Sequence, residues 1–277
     1  MRLLPKRPKK RYLAALLLAP AAAGWAAVRP SNDRDWTRDN AVLPWAEVRG
    51  DSVWVHNVRN AVHFSADSFA LRHDDRAYDL RELERAWFLV EPFEKDWRGP
   101  AHTLASFEFG NGEYLAVSVE VRREKGEKYS LLKGVLKRFE LTYVVADERD
   151  VVALRTNHRK DDVYLYPIRA PREKVRAMLL DMLGRANELR EHPEFYNTLT
   201  NSCTTTLAAH VNRVSPRRVP WSWKVVVPGY SDRLAYDLGL IDTDLPFEAA
   251  RERFYVTDKA QRAANAPDFS ARIRQPR

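Results

Sequence analysis

One cysteine, Cys203, stands in 277 residues, so no disulfide can form within the chain. Glycine is scarce, at ten residues, and none falls into a Walker A or dinucleotide-binding pattern. There is no His-Glu-x-x-His and no cysteine pair, so neither a metal nor another cofactor is expected. Acidic residues are missing from positions 1–28, which hold Arg2, Lys6, Arg7, Lys9, Lys10 and Arg11. Taking those six from 46 basic side chains leaves 40 against 38 acidic ones, so the formal +8 charge belongs to the N-terminus. A body so nearly balanced is a poor match to a phosphate backbone, and nucleic acid is not expected as a partner.

The basic run leads into Tyr12–Val28, seventeen residues without a charge. A spanning helix wants about 20 apolar residues and a signal-peptide core about 7–15. Pro20 and the alanines at 21–23 favour cleavage, whereas Trp25 near the outer boundary favours a retained anchor. A buried core helix would not carry six cations ahead of it. Residues 1–28 are therefore expected to be a signal anchor or signal peptide, with the positive flank inside and the body facing outward. An oxidising compartment makes an unpaired cysteine a residue that needs a reason.

Residues 29–44, RPSNDRDWTRDNAVLP, read as a linker, 45–254 as one domain, and 255–277 as a flexible tail. Eight Trp, eleven Tyr and eleven Phe suffice for a substantial core. Strand patterns run over 53–58, 83–93, 101–109, 113–123, 138–146, 150–156 and 162–168. Asn111-Gly112 between two alternating runs is a hairpin signal. The period then changes. From Pro171, Val175, Met178, Leu179, Met182, Leu183, Ala186 and Leu189 recur at helical spacing, and Leu207, Ala208, Val211 and Val214 share a face after Cys203. Strands first and helices later predict an α+β fold, an antiparallel sheet with packed helices.

Asn201 or Ser202 suits an N-cap, which puts Cys203 in the first turn of the second helix. Free N–H groups and the positive dipole end of a helix start favour an anion, a thiolate among them. The same N–H groups could hold an oxyanion, with Asn201, Ser202 and Thr204 around it. The competing reading is a small buried cysteine facing the core, as most lone cysteines are. A base must come from seven histidines. His210 lies two turns along the same helix and cannot reach the thiol. His192 suits a helix exit, and His73 and His158 sit among charges. His56 and His63 remain open. His102 lies on a strand face with Leu104, Ser106 and Glu108, opposite the apolar Thr103, Ala105, Phe107 and Phe109. Across the hairpin, Glu120 could orient its imidazole, or could instead pair with Arg122 or Arg123. Arg122, Arg123 and Arg149 are candidate lipid-phosphate ligands or surface ion-pair partners. Trp221, Trp223 and Val225–Val227 read as a core strand, with a membrane-facing rim as the alternative.

The blocks AHTLASFEF, NGEYLAVSVEVRREKGEKYS, FELTYVVADERDVVALRT, DDVYLYPI and PEFYNTLTNSCTTTL, in that order, resemble the Lnb N-terminal periplasmic domain family over roughly Val53 to Val214. The resemblance implies a bacterial envelope domain with a papain-like thiol core. Lnb proteins are implicated in N-acylation of lipoproteins with a phospholipid as acyl donor. Because His102 precedes Cys203, the order is similar to the circularly permuted branch of papain-like (NlpC-type) folds that includes lecithin:retinol acyltransferase. What carries over is Cys203 as nucleophile, His102 as base and Glu120 as orienter. That branch has Asn-Cys where this chain has Asn-Ser-Cys, which leaves the role of Asn201 open. Lnb acyltransferases carry several membrane helices after this domain and this chain does not, so the resemblance implies an activity that is altered or partner-dependent.

The expectation is an envelope thiol enzyme of the inner membrane, its domain facing the periplasm or released there by cleavage. It would move an acyl chain from an inner-membrane phospholipid through a Cys203 thioester to an amine, such as a lipoprotein N-terminus. The alternatives are a thiol hydrolase of peptide or peptidoglycan amides and a non-catalytic lipid-binding or envelope-binding module. An apolar groove beside Cys203 favours lipid, and an open polar cleft favours peptide.

Overall fold

The computed structural model describes residues 27–95 and 97–275. The segment expected to target the chain, 1–28, lies outside the described residues but for its last two. Among the described residues no helix is long and apolar enough to cross a membrane.

Alternating sequence becomes a large sheet. Its strands are β1 (Trp45–Arg49), β2 (Ser52–Arg59), β5 (His73–Asp79), β6 (Leu83–Pro92), β7 (Ala101–Phe109), β8 (Tyr114–Arg122), β9 (Glu140–Asp147) and β10 (Tyr164–Pro167). They lie in the order β1-β2-β9-β8-β7-β6-β10, with β5 also on β2, while β3 (Val62–His63) and β4 (Phe69–Ala70) form a small hairpin apart. Pairing is antiparallel except for one parallel bridge between Arg59 and Ala146. The β7–β8 hairpin closes where predicted. Gly112 there takes φ +84°, the left-handed conformation that a side chain disfavours.

The helices are α1 (Leu131–Val135), α2 (Glu148–Ala153), which widens into a π-helical stretch at Leu154–Arg159, α3 (Arg172–Glu191), α4 (Cys203–Val214), α5 (Trp223–Val226), α6 (Ser231–Asp237), α7 (Phe247–Phe254), α8 (Thr257–Arg262) and α9 (Phe269–Arg274). Period 2 in the strands sends side chains to both faces, and both are covered. On one face Val175, Leu179, Met182 and Leu183 of α3 and Leu207 of α4 join Ala105, Phe107, Val117 and Val119 in one core. On the other, Val151 and Val152 of α2, Ala260 of α8 and Phe269 and Ile273 of α9 join Leu104, Ala116 and Val144 in a second. Each large side chain so buried stabilises by about 1.5–3 kcal/mol.

Four stretches differ from expectation. Residues 150–156, expected as a strand, are helical. Asp147 caps α2 by accepting the Arg149 N–H. Glu148 is held by Arg274 at 2.5 Å and Asp150 by Arg59 at 2.9 Å. Tertiary ion pairs override the β preference of Val151 and Val152. Residues 29–44 are no free linker. Trp36 is buried, and Arg122 spreads beneath it, 4.2 Å from the ring centroid, while donating to the carbonyls of Asn40 and Ala41. The tail expected to be flexible, 255–277, is ordered through Gln275, anchored by buried Phe269 and Ile273 and by the Arg274–Glu148 pair. Trp221 to Val227 hold a short helix rather than a core strand, with Trp221 and Trp223 exposed.

Candidate active site at the end of β7

The sheet register aligns four side chains in a row. Glu91 of β6 pairs with His102 of β7, and Glu120 of β8 pairs with Thr142 of β9. On β8, Glu120 lies two places beyond Ser118, the last residue paired with β7, and its Oε1 is 3.7 Å from His102 Nε2. Paired residues share a face. His102 therefore sits between two carboxylates, and Arg155 of the π-helical stretch closes over both. Its guanidinium is 2.5 Å from Glu91 and 3.5 Å from Glu120.

Ser118 makes the contact that orients the ring. Its hydroxyl donates to Glu120 Oε1 at 2.9 Å and lies 2.7 Å from His102 Nε2. A hydroxyl has one proton, so with that proton spent on Glu120, Nε2–H donates to Ser118 Oγ. Nδ1 is left with the lone pair. The His102 side chain is 13% exposed and lines an open cavity. Burial, aided by the Arg155 charge, pulls the His102 imidazole down to about 4, so it is neutral near pH 7. Burial pushes the Glu120 carboxyl up, but His102 and Arg155 outweigh it and bring it to about 2. Burial raises Glu91 against the opposing pull of Arg155.

Cys203 is on the other side of the sheet. It starts α4, whose N-cap Ser202 accepts the Thr205 N–H while Thr205 accepts the Ser202 N–H, a complete capping box. Two contacts fix α4 on the face opposite His102. Thr204 Oγ1 lies 3.0 Å from Thr103 Oγ1, and His210 Nε2 lies 2.5 Å from the Tyr143 hydroxyl. Thr103 and Tyr143 belong to the neighbouring row, where side chains point the other way. The sulfur is buried beside the first core, with Thr204 Oγ1 at 3.7 Å as its polar neighbour.

The two faces meet at one place. The β7–β8 pairing stops at Leu104 and Ser118, although β7 runs back to Ala101 and β8 on to Arg122, so the two strands part there. Where they part lies a cavity of about 250 Å³, lined from one face by His102 and Glu120 and from the other by Val119, Val121 and Cys203. Arg123, Arg155 and Arg159 and the rings of Phe93, Tyr129 and Tyr196 complete its wall. No hydrogen bond joins the sulfur to the imidazole; they share the cavity from opposite sides of the strand end. A second, almost wholly apolar groove of about 100 Å³ begins at Thr204 and runs past Leu207, Ala208 and Val211 towards Val225 and Leu234.

Of the predicted positioning residues, Asn201 is spent on structure. Its amide donates to the Phe195 carbonyl, and its oxygen accepts from Thr206. Ser202 caps and Thr204 bridges to the sheet. Capping leaves the Cys203 and Thr204 N–H groups without partners at the head of α4, where N–H groups ordinarily lack intrahelical ones. Arg122, read as a partner of Glu120 or of lipid phosphate, is buried against the 29–44 segment instead. Ser118, Glu91 and Arg155 were given no role from sequence. Ser118 shares the alternating face of His102 and Glu120, and that was the available signal. Among the other histidines, His63 meets Asp150 at 3.0 Å and His56 meets Asp75 at 2.8 Å, and neither lines the cavity that Cys203 lines. Among the described residues no group of three or more His, Cys, Asp or Glu side chains is arranged to hold a metal ion.

Fold and site together define a mixed α/β domain with a lone helix-start cysteine and a buried histidine–serine–carboxylate relay facing one cavity. The Lnb N-terminal periplasmic domain family matches residues 70–229, more than half of the chain, and the chain belongs to that family. The description of the family makes this a periplasmic domain. No curated protein and no solved structure matches the chain.

Proposed function

We propose that the domain is a permuted papain-like thiol acyltransferase working at the periplasmic face of the inner membrane. It would take an acyl chain from a phospholipid and pass it to an amine such as a lipoprotein N-terminus. The observation that carries this reading is the shared cavity: the His102 imidazole and a helix-start cysteine line the same space. In the proposed cycle His102 Nδ1 takes the thiol proton and the sulfur attacks the ester carbonyl. The Cys203 and Thr204 N–H groups stabilise the oxyanion. The imidazolium returns its proton to the departing lysophospholipid oxygen and leaves a thioester. The amine attacks that thioester, gives up a proton through His102, and the thiol is restored. The apolar groove that begins at Thr204 suits a few methylene groups of the chain, and the three arginines suit a phosphate head.

Hydrolysis of an amide would use the same sulfur with water as acceptor. The apolar groove favours lipid over a peptide. The test is incubation with acyl-labelled phospholipid. The proposal expects a hydroxylamine-labile label on the wild type, none on Cys203→Ser, and strongly reduced label on His102→Ala. A wild type that takes up no label refutes it.

A further inference from the structure

We infer that the turn around α1 is a docking surface for an anionic lipid bilayer, set at the mouth of the cavity. This goes beyond the chemistry at Cys203 and does not depend on it. Between Arg123 and Arg138 the chain has six basic and two acidic residues. Three leucines in that stretch point outward: Leu131 is 51% exposed, Leu132 68% and Leu136 45%. Leu199, 45% exposed, extends the patch from the neighbouring loop. Lys128, Lys133 and Arg138 are exposed among these leucines, and among the described residues none of the three forms an ion pair.

The patch is held firmly in place. The Thr198 hydroxyl donates to the Leu131 carbonyl at 3.0 Å. A Cβ at Gly134 would collide with that same hydroxyl, so glycine lets α1 lie flat on the loop leading to Cys203. Tyr129 stacks on Phe139 and lines the cavity together with Tyr196. Exposed leucines in such a cluster mark an interaction site. Their occupant is named by charge: cations interleaved with apolar side chains complement anionic headgroups over acyl chains, each basic residue contributing at the surface. An acidic protein groove would be met by the cations alone and would leave Leu132 unaccounted for.

Because Cys203 is the one thiol, a fluorophore can be placed site-specifically in the full chain. In the Cys203→Ser background, Leu132→Cys would carry an environment-sensitive dye, and Val48→Cys, exposed on β1, would serve as the control site. Vesicles of phosphatidylglycerol mixed with phosphatidylcholine are expected to blue-shift the dye at position 132 and leave that at 48 unchanged. Adding Lys133→Glu and Arg138→Glu should raise the lipid needed for half the shift by about thirtyfold or more. No shift at 132, an equal shift at 48, or an equal response to phosphatidylcholine alone overturns the inference. So does a shift that grows with protein concentration in the absence of lipid. Because the variants lack the Cys203 thiol, the outcome is separate from whether Cys203 forms a thioester.

Discussion

The two faces of the sheet at β7 are built on different physics. The His102 face is charged and buried: Glu91, Glu120 and Arg155 surround the ring, and the Ser118 hydroxyl is spent orienting it. The Cys203 face is apolar: the sulfur sits among core side chains at a capped helix start, and a separate groove of carbon atoms begins at the neighbouring Thr204. Charges fix a lone pair and keep it neutral, whereas packing fixes a sulfur and makes room for a chain. Two strands that part beyond Leu104 and Ser118 let both open into one space without either environment entering the other. Arg155 shows the cost of the charged side. Glu91 is fully buried and tolerable only while its partner is present.

Substitutions on the two faces should therefore fail in different ways. The largest effect is expected from Cys203→Ala, which should lower acyl transfer by at least about 10⁴-fold while the melting temperature stays within a few degrees. A large loss of stability would mean that the sulfur serves packing. Next is Arg155→Met, which strands Glu91 and should cost about 3–5 kcal/mol by denaturant unfolding. A neutral result would show that Glu91 is protonated in the native state. Smaller is Ser118→Ala. It frees Nε2 without touching the cavity and should reduce turnover by about 10- to 100-fold with KM little changed. A change confined to KM would remove Ser118 from the relay.

The pH dependence concerns stability rather than turnover and has a definite sign. The folded His102 pKa, about 4, lies below its ordinary 6.5. The unfolded chain therefore binds more protons between those values, and stability should climb as pH rises across that window and level off above it. Glu120, brought from 4.5 to about 2, adds stability that is complete above 4.5 and lost as pH falls towards 2. Thermal unfolding from pH 7 down to 4 should show the decline, and His102→Asn should flatten it between 6.5 and 4.

Much of this architecture could be read from residue order. The run 101–109 is a strand over its full predicted length, and Cys203 heads its helix with Ser202 as cap. The alternation that set His102 with Ser106 and Glu108 against Thr103 and Ala105 was correct. It even held the clue that an apolar helix face would seek the Thr103 side. What lay beyond reach were pairings distant in sequence. Nothing local in Asp150 or Glu148 announces Arg59 or Arg274, so a helix built on those pairs looked like a strand of Val151 and Val152. For the same reason the tail looked loose and Arg155 looked like one strand residue among several. Whether the π-helical stretch lies over His102 depends on the register of β6 against β7, which no short window contains.

The account stands on His102 acting on Cys203 across the end of β7, and alkylation of the single thiol measures that directly. With iodoacetamide at pH 7, the rate at Cys203 should fall at least about tenfold in folded His102→Ala relative to wild type, the scale of an imidazole acting as base. Equal rates in the two proteins would mean that ring and sulfur do not communicate, and the proposed active site would be refuted.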